Sequence, residues 1–176
     1  MSQLKLNFQS VRTLVVDKDR FSGSLITQML RGFGVENIEL LDSAADAKTF
    51  MTENHVDLCL VEAGLPDMGG AELVHWVRHE QRESLRYVPV LMLTGYSQSQ
   101  EVSAARDAGA NMVVRKPLSP RLLFDRLSWI ARTPRPFVET DDFAGPDRRF
   151  REAAPPGGEY RRATDIPVPD RTAGAA

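Results

Sequence analysis

The stretch VDLCLVEAGLPDMGG, Val56 to Gly70, decides how the rest of the chain is read. A run of Val, Leu and Cys ends in a carboxylate, Glu62, and passes at once into Ala63-Gly64-Leu65-Pro66 and the pair Gly69-Gly70. This is the pattern of a buried strand, Val56 to Val61, that presents an acid at its carboxyl end and then turns sharply into a helix. Open α/β sheets carry their chemistry in that position.

Working outward, the same strand-then-helix unit recurs. Upstream, VRTLVV (residues 11 to 16) ends in Asp17-Lys18-Asp19, and apolar residues at 21, 25, 26, 29, 30 and 33 predict a helix that Gly32 and Gly34 stop. Asn37 to Leu41 is a short strand, and Asp42 or Ser43 can cap a helix reaching about Glu53. Downstream, Ala71 to about Gln81 has Leu73, Val74 and Val77 on its inner face. Val88 to Leu93 is an apolar strand ending in Thr94-Gly95, and Gln98 to Ala108 is alanine-rich and helical. Met112 to Val114 leads to Arg115-Lys116-Pro117, and Ser119 with Pro120 opens a last helix carrying Leu122, Leu123, Leu127 and Ile130.

Five βα units predict an α/β fold, a doubly wound five-stranded parallel sheet with helices on both faces. Right-handed crossovers bring the carboxyl ends of all strands to one edge. Asp17, Asp19, Glu62, Thr94 and Lys116 therefore converge there. Carboxylates, a hydroxyl and an ammonium gathered at that edge point to chemistry or its remnant rather than to a solvated face.

Composition narrows the setting. The 176 residues are 42% hydrophobic, enough for one core with an appendage. A single cysteine, Cys59, rules out an internal disulfide and sits inside a strand, which predicts a buried structural thiol and a reducing, cytoplasmic compartment. No apolar run approaches the roughly 20 residues that span a bilayer, so no membrane is expected. The net charge of −2 does not favour nucleic acid. His75 and His79, one turn apart with Glu72 before them, are expected to form an exposed pair without a metal, and Trp76 and Trp129 to lie at the core edge or on a protein contact.

Beyond Arg132 the texture changes. Residues 134–176 hold seven of the eleven prolines, no lysine, seven arginines and eight acids, so they read as a Pro/Arg-rich flexible tail. Within it Gly145-Pro146-Asp147-Arg148-Arg149 is loosely echoed by Gly157-Gly158-Glu159-Tyr160-Arg161-Arg162. Paired guanidiniums suit phosphates and planar rings. The near balance of arginine and acid argues against plain DNA binding.

LVVDKD (14 to 19), DLCLVEAGLPDMGG (57 to 70), VPVLMLTG (88 to 95) and GANMVVRKP (109 to 117) together resemble the receiver domain of response regulators, of the chemotaxis kind. The resemblance covers three quarters of the chain and implies a receiver-like domain over residues 10–133. In that family an acidic pair after the first strand helps hold magnesium, and an aspartate ending the third strand accepts a phosphoryl group from a histidine kinase. The resemblance places the first acid at Asp17, the second at Lys18 and the acceptor at Glu62. Thr94 matches the hydroxyl position, Lys116 and Pro117 the lysine and its follower, and the aromatic switch falls on Val113.

Three working positions have therefore changed, and each change has a physical consequence. An ammonium at residue 18 removes an oxygen ligand and adds repulsion, so magnesium binding by Asp17, Asp19 and Glu62 is expected to be weak or lost, with no other cofactor. Lys18 is expected instead to pair with Glu62 or Asp17. The extra methylene of Glu62 displaces an attacking oxygen by about an ångström, which costs roughly 100-fold in a positioned reaction. No catalysis of its own is expected.

Two readings of Glu62 stay open, an inert polar group or an imitation of the phosphorylated state that reaches Thr94 or Lys116. The leading reading of the whole is an atypical, phosphorylation-independent single-domain response regulator acting by protein contact. Its partner would be a histidine kinase, a phosphotransfer protein, another signalling component or a second copy of itself. The resemblance puts the docking face on Gln98 to Ala108 and Leu122 to Ile130. One alternative is a conventional phosphoacceptor that uses Glu62 with Asp19-assisted metal binding. A second rests on a resemblance to receiver-like proteins that bind cyclic di-GMP through an arginine-rich C-terminal extension. It would use Arg148, Arg149, Arg151, Arg161, Arg162 and Asp165, the last spaced from Arg162 as in cyclic di-GMP inhibitory sites.

Overall fold

The structure is a computed structural model that describes residues 7–95 and 99–147. Five parallel strands, β1 (Arg12–Val16), β2 (Asn37–Leu41), β3 (Leu58–Glu62), β4 (Val90–Thr94) and β5 (Met112–Arg115), form one sheet in the order β2-β1-β3-β4-β5. The intervening helices are α1 (Arg20–Gly32), α2 (Ala44–Glu53), α3 (Gly70–His79), α4 (Glu83–Arg86), α5 (Ser99–Asp107) and α6 (Pro120–Arg132). The core has two layers. Ile26 and Leu30 of α1 and Leu123 and Leu127 of α6 pack on one face of the sheet. Ala47 and Met51 of α2, Leu73, Val74 and Val77 of α3 and Ala105 of α5 pack on the other. This is the doubly wound architecture that the alternation of elements predicts.

Local chemistry sets where the helices begin. The Asp19 carboxylate accepts from the N–H groups of Phe21 and Ser22 at the head of α1, Ser43 accepts from Asp46 N–H on α2, and Ser119 accepts from Leu122 N–H on α6. Asp67 reaches across to accept from Ala44 N–H and Ala45 N–H as well, and these bonds hold its carboxyl below the usual aspartate range. At the glycine pair, Gly70 N–H donates to Ala63 O at 2.8 Å, and a Cβ on Gly70 would lie 2.2 Å from Glu62 O. Only glycine lets α3 start so close to the end of β3.

Residues 83–86, between the expected helix ending near Gln81 and the strand from Val88, form the single turn α4, which buries Leu85. One expectation needs correction. The segment from 134, read wholly as flexible tail, begins with an antiparallel hairpin of β6 (Phe137–Thr140) and β7 (Phe143–Pro146). The hairpin is held by a few close contacts rather than by an aliphatic core. Phe137 meets Tyr87 edge-on at 4.6 Å, Asp147 N–H donates to Pro136 O at 2.8 Å, and Ala144 is buried. Gly145 lies so near Gly109 that a Cβ on it would fall 2.6 Å from Gly109 Cα. Composition does not register a docking that depends on missing side chains.

Beneath the hairpin lies Arg78, only 1% exposed. Its guanidinium donates to Gly109 O (2.9 Å), Arg86 O (2.6 Å), Val88 O (2.8 Å) and Asn111 Oδ1 (2.9 Å), and it stands over the Phe137 ring at 5.8 Å. One side chain thus joins α3 to α4, the segments before β4 and β5, and the hairpin. Burial pushes its pKa down to about 10, which still leaves it charged at neutral pH.

Candidate functional site

The ends of β1, β3, β4 and β5 bring the predicted cluster together. The sheet register aligns Val16 with Val61, Glu62 with Leu93 and Thr94 with Arg115, so Asp17, Glu62, Thr94 and Lys116 emerge at one edge. Lys116 Nζ lies 2.5 Å from Asp17 Oδ2 and 3.5 Å from Glu62 Oε1. Asp17 is fully buried and accepts further bonds from Ser22 Oγ (2.8 Å) and Asp19 N–H (3.0 Å). Glu62 Oε2 accepts from Lys18 N–H at 3.1 Å. All four carboxylate oxygens therefore face a donor or an ammonium. The hydroxyl-bearing Thr94 is buried beside them, and its carbonyl accepts from Lys116 N–H at 2.8 Å.

The two carboxyls titrate as a pair whose members move in opposite directions. Burial acts against the charge of Asp17, but the Lys116 ammonium, the neighbouring Glu62 carboxyl, Ser22 and the Asp19 N–H outweigh it, and the pKa falls below its ordinary value. For Glu62, burial and then the Asp17 carboxyl raise the pKa against the opposing pull of Lys116 and the Lys18 N–H. Of the two, Glu62 is accordingly the first to take up a proton as pH falls.

That ordering has a pH signature. A carboxyl whose folded pKa is raised contributes its stability below the unfolded value, near 4.5, and loses it as pH climbs through the folded value. Glu62→Gln keeps the shape of the protonated form. The variant is expected to melt with the wild type at pH 4 and above it at pH 7; a lower melting temperature at pH 7 would contradict the assignment.

Several predicted site residues stand differently from expectation. The Lys18 ammonium pairs with neither Asp17 nor Glu62; its backbone N–H holds Glu62, and its Nζ lies near Gly64. The ion pairs of the site belong to Lys116 because that side chain enters between the acids from β5, whereas Lys18 is exposed. Asp19 is spent as the α1 cap. Val113 is half-buried against the α3 and α5 side of the core. Glu72 accepts from Gly69 N–H at the head of α3, while His75 and His79 are exposed, with rings stacked at 4.0 Å. Cys59 is buried, and burial pushes its thiol up to about 12, as a structural thiol requires. Arg148, Arg149, Arg151, Arg161, Arg162 and Asp165 lie outside the described residues. No helix among the described residues is long and apolar enough to cross a membrane.

Arg78 was missed by the sequence reading, although a signal existed. It lies four residues after Val74 and next to Val77, on the face already identified as inward.

Comparison with known proteins agrees with this architecture. The family model described as the response regulator receiver domain matches residues 13–128. The chain is similar to the polar-differentiation response regulator DivK of Brucella ovis, 27% identical over 111 residues that cover 62% of this chain and 88% of the relative. It is similar also to the chemotaxis protein CheY of Pseudomonas aeruginosa, 28% identical over 120 residues, 68% of this chain and 95% of the relative. Among solved structures, a CheY-like receiver domain protein from Methanospirillum hungatei superposes with a TM-score of 0.61 at 26% identity, covering 67% of this chain and 90% of that one. With its sheet order, the edge cluster of Asp17, Thr94 and Lys116, and the match over most of its length, the chain belongs to the response regulator receiver family, a module of signal transduction.

Proposed function

We propose that this receiver works by contact with a protein partner and takes up no phosphoryl group. The observation that supports this most is the Lys116 ammonium lodged between Asp17 and Glu62, with every oxygen of both carboxyls already facing a donor or that ammonium. Magnesium asks for near-octahedral oxygen ligands at about 2.0–2.1 Å. The residues present do not fit it: Asp17 is enclosed, Asp19 caps α1, and residue 18 is a lysine. Glu62 is also a poor nucleophile toward phosphorus, since one oxygen accepts from the Lys18 N–H, the other faces the Lys116 ammonium, and burial with the adjacent Asp17 raises its pKa.

Such a domain presents a constant surface rather than a switched one. Val113 supports that reading, since no aromatic ring stands there to swing between two positions. The docking face we assign lies on α5 and α6, where Trp129 is partly exposed.

Incubation of the full chain with a small-molecule phosphodonor and magnesium, read by intact mass, tests the proposal. The mass is expected to stay unchanged. A phosphoryl adduct that disappears in Glu62→Gln would overturn the reading and make Glu62 a working acceptor.

A further inference from the structure

A groove of about 630 Å³ runs along β5, between that strand and α5, from Thr94 at the site edge to Pro146 of the hairpin. The structure describes the chain as far as Asp147, one residue beyond that end of the groove. We infer that the groove is the seat of the chain's own segment Asp165-Ile166-Pro167-Val168-Pro169-Asp170, laid against β5 as an added strand. Docking of this segment shares a face with the proposed protein contact but does not rest on it, since it needs neither a partner nor a phosphoryl group.

The sheet edge is the first ground. β5 is the last strand in the order β2-β1-β3-β4-β5, and among the described residues no strand pairs with its outer side. Such an edge offers unpaired backbone groups to an extended segment. Backbone groups of successive strand residues point to opposite sides, so the N–H groups of Ile166, Val168 and Asp170 share one side while Pro167 and Pro169, which have none, take the other. The segment can therefore pair fully along one edge only, and its proline edge stops a further strand from adding.

Side-chain match is the second ground. Val102 and Val113 give the groove apolar surface. Beyond Asp147 the only branched aliphatic residues of the chain are Ile166 and Val168, and their spacing of two puts both on one face of a strand. Taking them out of water supplies most of the affinity, because exposed ion pairs contribute little.

Charge sets the register. Arg106, Arg115 and Arg135 line the groove against one acid, Asp107, a formal balance of three positive charges to one negative. Arg115 stands at the carboxyl end of β5, opposite Thr94, and Arg135 lies by the hairpin at the other end. The segment has an acid at each end, and in extended form Asp165 and Asp170 stand about 17 Å apart, slightly more than the about 13 Å length of the four-residue β5. The flanking Arg162 and Arg171 then fall beyond the strand. Arg135 Nε–H is buried without an acceptor among the described residues, and an aspartate oxygen arriving at that end would supply one.

The connection is long enough. Residues 148–164 join Asp147 to the segment, and a coil of that length spans about 20–25 Å, which reaches either end of β5. So short a tether also keeps the segment at a millimolar effective concentration, at which a weak contact is substantially formed. A docked segment covers the α5 side of the face we assign to a partner, so a partner gains that side only by displacing it.

NMR of the full-length protein beside the full-length double variant Ile166→Asp, Val168→Asp tests the inference. Both substitutions lie outside the folded core, so the variant keeps its fold. In the wild type, the Ile166 and Val168 methyls are expected to show nuclear Overhauser contacts to the Val102 and Val113 methyls, unchanged over a tenfold range of protein concentration. In the variant, the amides of Met112 to Arg115 are expected to shift and to exchange at least threefold faster. Absence of those contacts, or unchanged β5 exchange in the variant, would overturn the inference. Contacts that grow with protein concentration would overturn it too, by giving the groove to the segment of a second copy.

Discussion

Arg78→Met is expected to lower folding stability by about 3–5 kcal/mol, a large share of the roughly 5–15 kcal/mol that holds a domain of this kind together. The side chain is 1% exposed, and methionine matches its apolar stem but none of its donors. Removing the guanidinium leaves Gly109 O, Arg86 O, Val88 O and Asn111 Oδ1 without it in a buried setting. Urea unfolding is the measurement, with the midpoint falling and the slope unchanged. Arg78→Lys should recover only part of the loss, because three donors on a flexible ammonium cannot reproduce four bonds made by a planar fork. Hydrogen exchange in β6 and β7 should rise in both variants, since Phe137 packs beneath the same guanidinium. A loss under about 1 kcal/mol in Arg78→Met would mean that water satisfies those carbonyls and that Arg78 is not the tie described.

Lys116→Met is expected to cost about 2–4 kcal/mol at pH 7, because it removes the cation from a fully buried aspartate. The sign of its pH dependence distinguishes this from simple loss of packing. In the wild type the lowered pKa of Asp17 contributes stability above its ordinary value of 3.8, and that stability is lost as pH falls through the folded value. Without the ammonium the remaining balance reverses. Burial of both acids, and for Glu62 the adjacent Asp17, then favour the protonated forms, so the variant gains stability relative to wild type as pH drops from 7 toward 5. Chemical denaturation of both proteins at the two pH values measures this, and adding Glu62→Gln to Lys116→Met should return part of the loss at pH 7. A pH-independent deficit would assign the effect to packing of the lysine stem instead.

The two variants probe opposite ends of the sheet, and the ends differ in how they could be foreseen. At the carboxyl edge, the strand-ending positions of Asp17, Glu62, Thr94 and Lys116 follow from counting strands and helices, because parallel crossovers leave no other place for them. At the amino edge, Arg78 looks like one more charged residue of a surface helix. Its position four residues after Val74 put it on the inner face, but hydrophobic periodicity gives no weight to an arginine. The hairpin at 137–146 was obscured for a similar reason: Gly145, Ala144 and the prolines carry the contact by being small, and smallness reads as loop.

Alternation of apolar runs, the Ser43 and Ser119 caps and the Gly69-Gly70 turn determined the elements and their order, since each depends on neighbours a few residues away. The same local reading brought the acids and Lys116 to one edge. Which group pairs with which was decided only by the tertiary structure. Lys116 crosses 99 positions of sequence to reach Asp17, while Lys18, adjacent in sequence, stays outside. The roles of Asp19 as a cap, Arg78 as a buried tie and the three arginines as the wall of a groove likewise rest on side-chain direction and burial. Those are set when the layers pack, because a few tenths of an ångström then decide which donor meets which acceptor.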